Sequence, residues 1–340
     1  MSAPIRWGIL GLGAIARKFA LGLKAVPDAR LAAVGSRSLD KAQAFAAEFG
    51  GARAHGSYEA LAADPEVDAI YIGTPHPMHR ADAILCLRAK KAVLCEKPFT
   101  VNAAELAEVV AVARAERVFL MEAMWTRFLP AMERVREWLA AGAIGEPRMV
   151  TADFGFRAEW NPGSRLLDPA LAGGGLLDVG IYPIAAAAMV FGPNPARITG
   201  LAHLGATGVD EQAAMVLAYP QGQLAVLSCG VRTETTHGLR IDGTAGRITV
   251  PNFWRADRAI LTAGDRTEDV QLGHQGGNGY NFEAAEVGRC LRAGRTESAV
   301  VTLDESLALM RILDELRRQF GLRYPMENRP EVRKSGSPEV

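Results

Sequence analysis

The stretch Ile5-Arg6-Trp7-Gly8-Ile9-Leu10-Gly11-Leu12-Gly13-Ala14-Ile15-Ala16 decides the fold. Ile5 to Leu10 is a short apolar run of strand length, and Ala14 to Lys24 is compatible with a helix. Between them lies G-x-G-x-x-A, in the place where a dinucleotide-binding fingerprint belongs. Gly11 permits the tight turn. Gly13 lets the backbone approach a pyrophosphate, whose charge the helix N-terminus stabilises. Ala16 allows close helix–strand packing. Gly11, Leu12, Gly13, Ala14 and Ile15 are therefore the loop residues expected at the phosphates. The same run resembles the core of a signal peptide, but only Arg6 precedes it and glycines interrupt it.

Working outward, the pattern repeats. Apolar runs at Arg30 to Gly35, Ala69 to Gly73, Ala92 to Cys95 and Val118 to Met121 alternate with helical stretches at Leu39 to Phe49, His79 to Ala89 and Asn102 to Glu116. Asn102 with Glu105 three residues on is a variant of the capping box. Such alternation predicts a parallel sheet covered on both faces, a Rossmann domain over residues 1–123. After a helix at Pro130 to Ala140 the chain becomes strand-rich: Arg148 to Phe156, Ala196 to Leu204, Gln212 to Tyr219, Gln223 to Val231, Gly238 to Asp242 and Gly246 to Val250. Turn signals at Pro220-Gln221-Gly222 and Asp242-Gly243-Thr244 join several of them. Two helices follow, at about Asn281 to Ala293 and Leu303 to Phe320. The fold class is thus α/β, with residues 124–340 forming a second, α+β domain on a large, mainly antiparallel open sheet. The polar tail from Glu327 is expected to be loose.

Composition narrows the function. The chain has 340 residues, 49% hydrophobic and 22% charged, with 38 basic and 38 acidic side chains. A net charge of zero argues against a nucleic-acid partner. The four cysteines form no C-x-x-C pair, so no structural zinc is expected, and the redox setting is that of reduced thiols. The most apolar run, Leu176 to Gly192, is interrupted by Asp178 and Pro183 and falls short of the ~18 residues of a membrane span. These features together give an expected location in the cytoplasm.

The end of the second strand reads the cofactor. NAD-binding versions place an acid there for the ribose hydroxyls. Here the strand runs into Gly35-Ser36-Arg37-Ser38. Arg37 offers a planar cation to a 2′-phosphate, Ser36 a hydroxyl and Lys41 a further charge, so NADP is expected. Two more strand ends open onto the same crevice. One is Thr74-Pro75-His76-Pro77. The other is Cys95-Glu96-Lys97-Pro98, where the lysine is placed to face the cofactor.

Gly11-Leu12-Gly13, Gly73-Thr74-Pro75-His76-Pro77-Met78-His79 and Glu96-Lys97-Pro98, in this order, resemble the glucose–fructose oxidoreductase and inositol dehydrogenase family, Gfo/Idh/MocA. Longer stretches at 93–98, 120–128 and Gly173-Gly174-Gly175-Leu176-Leu177-Asp178-Val179-Gly180-Ile181-Tyr182 resemble the branch that acts on trans-dihydrodiols and D-xylose. The resemblance runs from about Arg6 to Pro325. It implies an NADP-dependent dehydrogenase that moves a hydride between nicotinamide and a secondary alcohol or hemiacetal of a sugar, polyol or trans-dihydrodiol. It implies that Lys97 touches the nicotinamide ribose and the reacting hydroxyl. Asp178 and Tyr182 match the family's D-x-x-x-H/Y pair, and tyrosine in place of histidine makes Tyr182 the acid–base candidate.

Pro183 suits the first turn of a helix, which would put Tyr182 near a helix N-terminus. That end and the Lys97 ammonium are expected to lower the phenol's pKa. Asp178, four residues earlier, would share its face and hold a substrate hydroxyl or orient the lysine. His79 is expected to cap a helix or meet the cofactor, and His76 stands next in line as an acid–base group. Glu96, Trp125 and Arg165 are further expected cofactor contacts, and Tyr280 a residue that reaches the cofactor or substrate. Trp125, Phe154, Phe156 and Trp160 are expected to wall the crevice. No metal is required. Two rival readings are an NAD-dependent redox elimination of a glycosidic group and a non-catalytic dinucleotide-sensing regulator. The second domain's sheet needs its other face covered, which predicts a homodimer or homotetramer.

If Arg37 reads the 2′-phosphate, wild type binds NADP more tightly than NAD. Arg37→Ala then costs ~1.5–3 kcal/mol, roughly 10- to 150-fold in NADP affinity, with NAD little changed. Equal dissociation constants for the two cofactors in wild type would overturn this reading.

Overall fold

The computed structural model describes residues 3–328, so the tail expected to be loose lies almost wholly outside the described residues. Six strands build the first sheet: β1 (Ile5–Leu10), β2 (Ala29–Gly35), β3 (Arg53–His55), β4 (Ala69–Ile72), β5 (Ala92–Glu96) and β6 (Leu120–Ala123). All pair in parallel in the order β3-β2-β1-β4-β5-β6. Helices α1 (Ala14–Leu23), α2 (Leu39–Glu48), α3 (Tyr58–Ala62), α4 (His79–Arg88) and α5 (Ala103–Glu116) connect them. β3 and α3 are too short and too polar to show as a period in the sequence. The expected cap forms, with the Glu105 N–H donating to Asn102 Oδ1 at 2.9 Å.

Central strands buried on both faces read as unbroken apolar runs, and β4 and β5 are buried at every residue. Phe19 of α1 stacks on Tyr71 of β4 at 3.9 Å and meets Trp7 of β1 edge-on at 5.1 Å, which locks α1 onto the sheet. The strand order reverses between β1 and β4. That topological switch point opens a crevice at the carboxyl ends of the strands.

The second sheet has eight strands: β7 (Pro147–Gly155), β8 (Arg197–Leu204), β9 (Asp210–Ala218), β10 (Leu224–Gly230), β11 (Leu239–Gly243), β12 (Arg247–Val250), β13 (Arg258–Ala263) and β14 (Arg266–Gln271). The order is β14-β13-β12-β11-β7-β10-β9-β8, antiparallel except for β7 with β10. The β13–β14 hairpin escaped the sequence reading because its second strand, Arg-Thr-Glu-Asp-Val-Gln, is polar. Helix α6 (Pro130–Ala140) leads in, and α7 (Ile181–Phe191) packs on one face of the sheet.

Helices α8 (Tyr280–Arg292) and α9 (Leu303–Phe320) return to the first domain, α8 against α1 and α9 against α5. Asp314 of α9 accepts the Ala103 N–H at 2.9 Å, at the start of α5. A single boundary near Ala123 does not capture this return. The stretch Pro169–Phe191 is long and apolar enough to cross a membrane by composition, but 83% of its most apolar window is buried inside the molecule. It is a core element of the second domain, packed on β7, β10 and α9.

Candidate active site

The loop after β1 is built as its glycines require. Gly11 has φ +85°, and a Cβ there would crowd Thr74. Gly13 faces open space, with no atom within 4 Å of the position a Cβ would take. The first turn of α1 carries no side-chain cap and no acidic residue, so its N–H groups are free to receive an anion. This cradle fits a dinucleotide pyrophosphate. At the end of β2, Arg37 and Lys41 are exposed, and Ser36 Oγ accepts the Ser38 N–H at 3.2 Å.

Lys97 follows β5 and projects across the crevice. Its Nζ donates to the backbone oxygen of Asp178 at 2.7 Å, lies 3.5 Å from Asp178 Oδ1 and sits 5.0 Å from the centre of the Tyr182 ring. Arg165 holds the same carboxylate oxygen at 2.8 Å. Burial opposes charge on Asp178, but Lys97 and Arg165 prevail and hold its carboxyl well below the usual range. Burial also opposes charge on Lys97, and Tyr182, Asp178 and Glu96 outweigh it and raise its pKa. The site thus contains a fixed ammonium, a fixed carboxylate and a phenol in one place. Of the two roles expected for Asp178, orienting the lysine is the one its contacts serve.

Tyr182 departs from expectation in two ways. Pro183 does lie in the first turn of α7, but a π turn, Leu176–Gly180, runs without a break into α7, so the free end lies at Leu176. The helix terminus is then too far away to act on the phenol, since its effect falls off within the first turn. Burial instead pushes the phenol up to about 12, and Lys97 only moderates this. The Trp125 indole N–H donates to the Tyr182 hydroxyl at 3.1 Å, and Trp125 stacks on Tyr280 at 4.6 Å. Both Trp125 and Tyr280 are buried, so they serve as a platform that orients Tyr182.

Other expected contacts also resolve differently. His79 has no exposed surface. Its ring nitrogens meet the backbone oxygens of Pro98 at 2.9 Å and Thr74 at 2.8 Å, which ties the two strand-end loops together, so it neither caps a helix nor lines the crevice. Thr74 bonds Asp82 at 2.7 Å. Pro75 opens the short helical turn that carries His76. His76 lies 3.3 Å from the oxygen of Ala172, and burial pushes its imidazole down to about 3. Glu96 turns inward: Oε1 accepts the Tyr71 hydroxyl at 2.5 Å and Oε2 the Lys97 N–H at 3.2 Å. Arg165 is engaged by Asp178 through one of its guanidinium nitrogens. Among the described residues no group of three or more His, Cys, Asp or Glu side chains is arranged to hold a metal ion. Phe154 meets Tyr182 edge-on at 5.4 Å and stacks on Trp254 at 4.9 Å, and Phe156 packs beside it, while Trp160 is half exposed further out.

Two family profiles match the chain. The oxidoreductase family with an NAD-binding Rossmann fold, Gfo/Idh/MocA, covers residues 5–124, and the Gfo/Idh/MocA C-terminal domain covers 132–249. The chain belongs to the Gfo/Idh/MocA oxidoreductase family. It is 42% identical to mouse trans-1,2-dihydrobenzene-1,2-diol dehydrogenase over 96% of this chain and 99% of that one. It is 40% identical to the human protein of the same name, with the same coverage. Among solved structures, a 3-ketoreductase from Actinomadura kijaniata in complex with NADP and TDP-benzene superposes with a TM-score of 0.82. The two are 28% identical, over 93% of this chain and 98% of that one. An aldose-aldose oxidoreductase from Caulobacter crescentus, complexed with glycerol, gives 0.85 at 25% identity, over 93% and 97%. The Gfo/Idh/MocA chain described here is thus an oxidoreductase with an NAD(P)-binding Rossmann domain.

Sequence reasoning missed an acidic pocket behind the Gfo/Idh/MocA lysine. Glu283 of α8 has no exposed surface, and neither of its carboxyl oxygens has a hydrogen-bond partner among the described residues. Burial, and then the charge of nearby Glu96, push it well above the usual carboxylate range. No motif announces it, because Glu283 of α8 and Glu96 at the end of β5 come near each other only in three dimensions. Trp254, from the turn after β12, was missed for the same reason.

A raised carboxyl gives a definite sign. The unfolded chain loses this proton near pH ~4.3, and the folded chain keeps it to higher pH. Wild type therefore loses stability relative to Glu283→Gln as pH rises, by up to ~1.4 kcal/mol per unit. Urea unfolding at pH 4.5, 6 and 7.5 is expected to show the gap in favour of glutamine widening with pH. A gap independent of pH would refute a neutral Glu283.

Proposed function

We propose that this protein is an NADP-dependent dehydrogenase/reductase of a sugar, polyol or trans-dihydrodiol. In this reading Tyr182 moves the hydroxyl proton, and Lys97 and Asp178 position it. One observation carries the proposal: a lysine fixed by Asp178 lies against the face of a buried tyrosine whose hydroxyl is already oriented by Trp125. When bound, the dinucleotide supplies the hydride acceptor or donor. The relatives named as dihydrodiol dehydrogenases and the sugar-related structural neighbours support the substrate class. Arg37 and the absence of an acid at the end of β2 support NADP.

The chain's own residues define the proton chemistry. The Tyr182 oxygen accepts from the indole, so its own O–H is free to point at a substrate oxygen. With its pKa near 12, the phenol is protonated at neutral pH and is poised as a general acid. This favours carbonyl reduction near neutrality. Alcohol oxidation requires the phenolate, which the Lys97 ammonium stabilises, and its rate rises with pH. Phe154 and Trp254 give an apolar face for a ring, while Asp178 and Lys97 give its polar edge. Four cysteines, all buried and unpaired, support a cytoplasmic location.

The test is a screen for NADPH formation and consumption over aldopentoses, aldohexoses, inositols, dihydrodiols and ketosugars. Tyr182→Phe on the best substrate is expected to lower kcat by ~10²–10⁴-fold and to leave NADPH binding nearly intact. Lys97→Ala is expected to weaken both. A variant Tyr182→Phe that keeps more than about a tenth of wild-type turnover, or an oxidation rate already flat below pH ~8, would remove Tyr182 from this role.

The outer face of the second sheet supports self-association. Leu201 is 81% exposed, and Val216, Leu224, Val226 and Met149 stand exposed on β9, β10 and β7. Val226 pairs with Val216 on one side and Thr151 on the other, so these side chains form a continuous apolar patch. A second copy presenting the same patch would cover it by two-fold symmetry. Light scattering at micromolar concentration is expected to give twice or four times the chain mass. A single-chain mass would exclude this interface.

A further inference from the structure

The Gly173-Gly174-Gly175 stretch takes no part in the proton chemistry, yet its geometry is tightly specified. Asp210, the first residue of β9, has no exposed surface, and its Oδ2 accepts the Leu176 N–H at 2.6 Å. It thereby caps the free end of the helix that carries Asp178 and Tyr182. Gly174 has φ +118°, a conformation that disfavours any side chain, and a Cβ there would collide with Asp210 Oδ1. At Gly173 a Cβ would lie 2.8 Å from the Leu166 carbonyl, and at Gly180 2.8 Å from Cys229 Sγ of β10. The Tyr324 hydroxyl holds the Gly173 oxygen at 2.6 Å. The helix start is therefore clamped between β9, β10, the 166 loop and the C-terminal segment. The π turn follows at once, and such turns cluster at functional sites.

We propose that Asp210 is the positioning residue of this site. As the cap of the Leu176–Phe191 helix it sets that helix's depth and rotation. It thereby sets the Asp178 carbonyl that holds Lys97 and the hydroxyl of Tyr182. The glycines are there so that the carboxylate can reach the helix end. The proposal rests on the functional reading above for what Lys97 and Tyr182 do, but not for the capping itself.

The test separates the two. Hydrogen exchange of the amides of residues 176–180 is measured in wild type, Asp210→Ala, Asp210→Asn and Gly174→Ala, with no substrate present. Wild type is expected to protect Leu176 as strongly as the interior of α7. Asp210→Ala and Gly174→Ala accelerate exchange there at least about tenfold, and Asp210→Asn, which keeps one acceptor oxygen, restores most of the protection. In steady state, Asp210→Ala is expected to lose up to ~10²-fold in kcat, the scale of a 1 Å misplacement, with the NADPH dissociation constant unchanged. Asp210→Asn recovers most of that loss. Fast exchange of Leu176 in wild type, which needs no variant to fold, overturns the proposal. So does unaltered exchange or unaltered kcat in Asp210→Ala. Altered exchange in a protein that turns over none of the screened substrates leaves the cap standing and overturns the functional reading instead.

Discussion

The Lys97 ammonium holds the two halves of this molecule in register. It leaves the end of β5 in the first domain and donates to the Asp178 carbonyl in the second at 2.7 Å. A buried cation is costly unless it is paired and hydrogen-bonded. The Asp178 carbonyl and carboxylate meet that requirement, and Arg165 completes the cluster. A strand end of the first domain and the core helix of the second are thereby tied together beside Tyr182. His79 reinforces the same edge by joining the Thr74 and Pro98 carbonyls.

At Tyr182 two effects compete. The ammonium at 5.0 Å favours phenolate, while removal from water favours phenol, and burial prevails. The result is a phenol that keeps its proton at neutral pH. A partly exposed tyrosine with the same lysine would behave differently. The balance was set by the walls, Phe154, Trp125 and Trp254, more than by the charge.

The acidic pocket behind Lys97 follows the same logic. Glu96 has two donors, the Tyr71 hydroxyl and the Lys97 N–H, whereas Glu283 has none among the described residues. Burial raises both carboxyls, but at Glu96 the Lys97 ammonium and the two donors oppose the rise, whereas at Glu283 the charge of Glu96 adds to it.

The sequence by itself determined the first domain and its place in an oxidoreductase family. Gly11, at φ +85° and close against Thr74, has no ready substitute at its tight turn, and the period of the βα repeats is written in local apolar runs. It also determined the antiparallel character of the second sheet through its turn signals at 220–222 and 242–244. What tertiary structure alone decided were quantities that depend on neighbours distant in the chain. The direction of the Tyr182 pKa shift, the inward turn of Glu96, the clamp made by His79 and the solitude of Glu283 each depend on burial by elements 19 to nearly 200 residues away. The true start of the Tyr182 helix is of the same kind, because the acceptor that fixes it, Asp210, stands 34 residues after Leu176 on another sheet strand. Local propensity can place a proline near a helix end, but it cannot show which carboxylate reaches the end first.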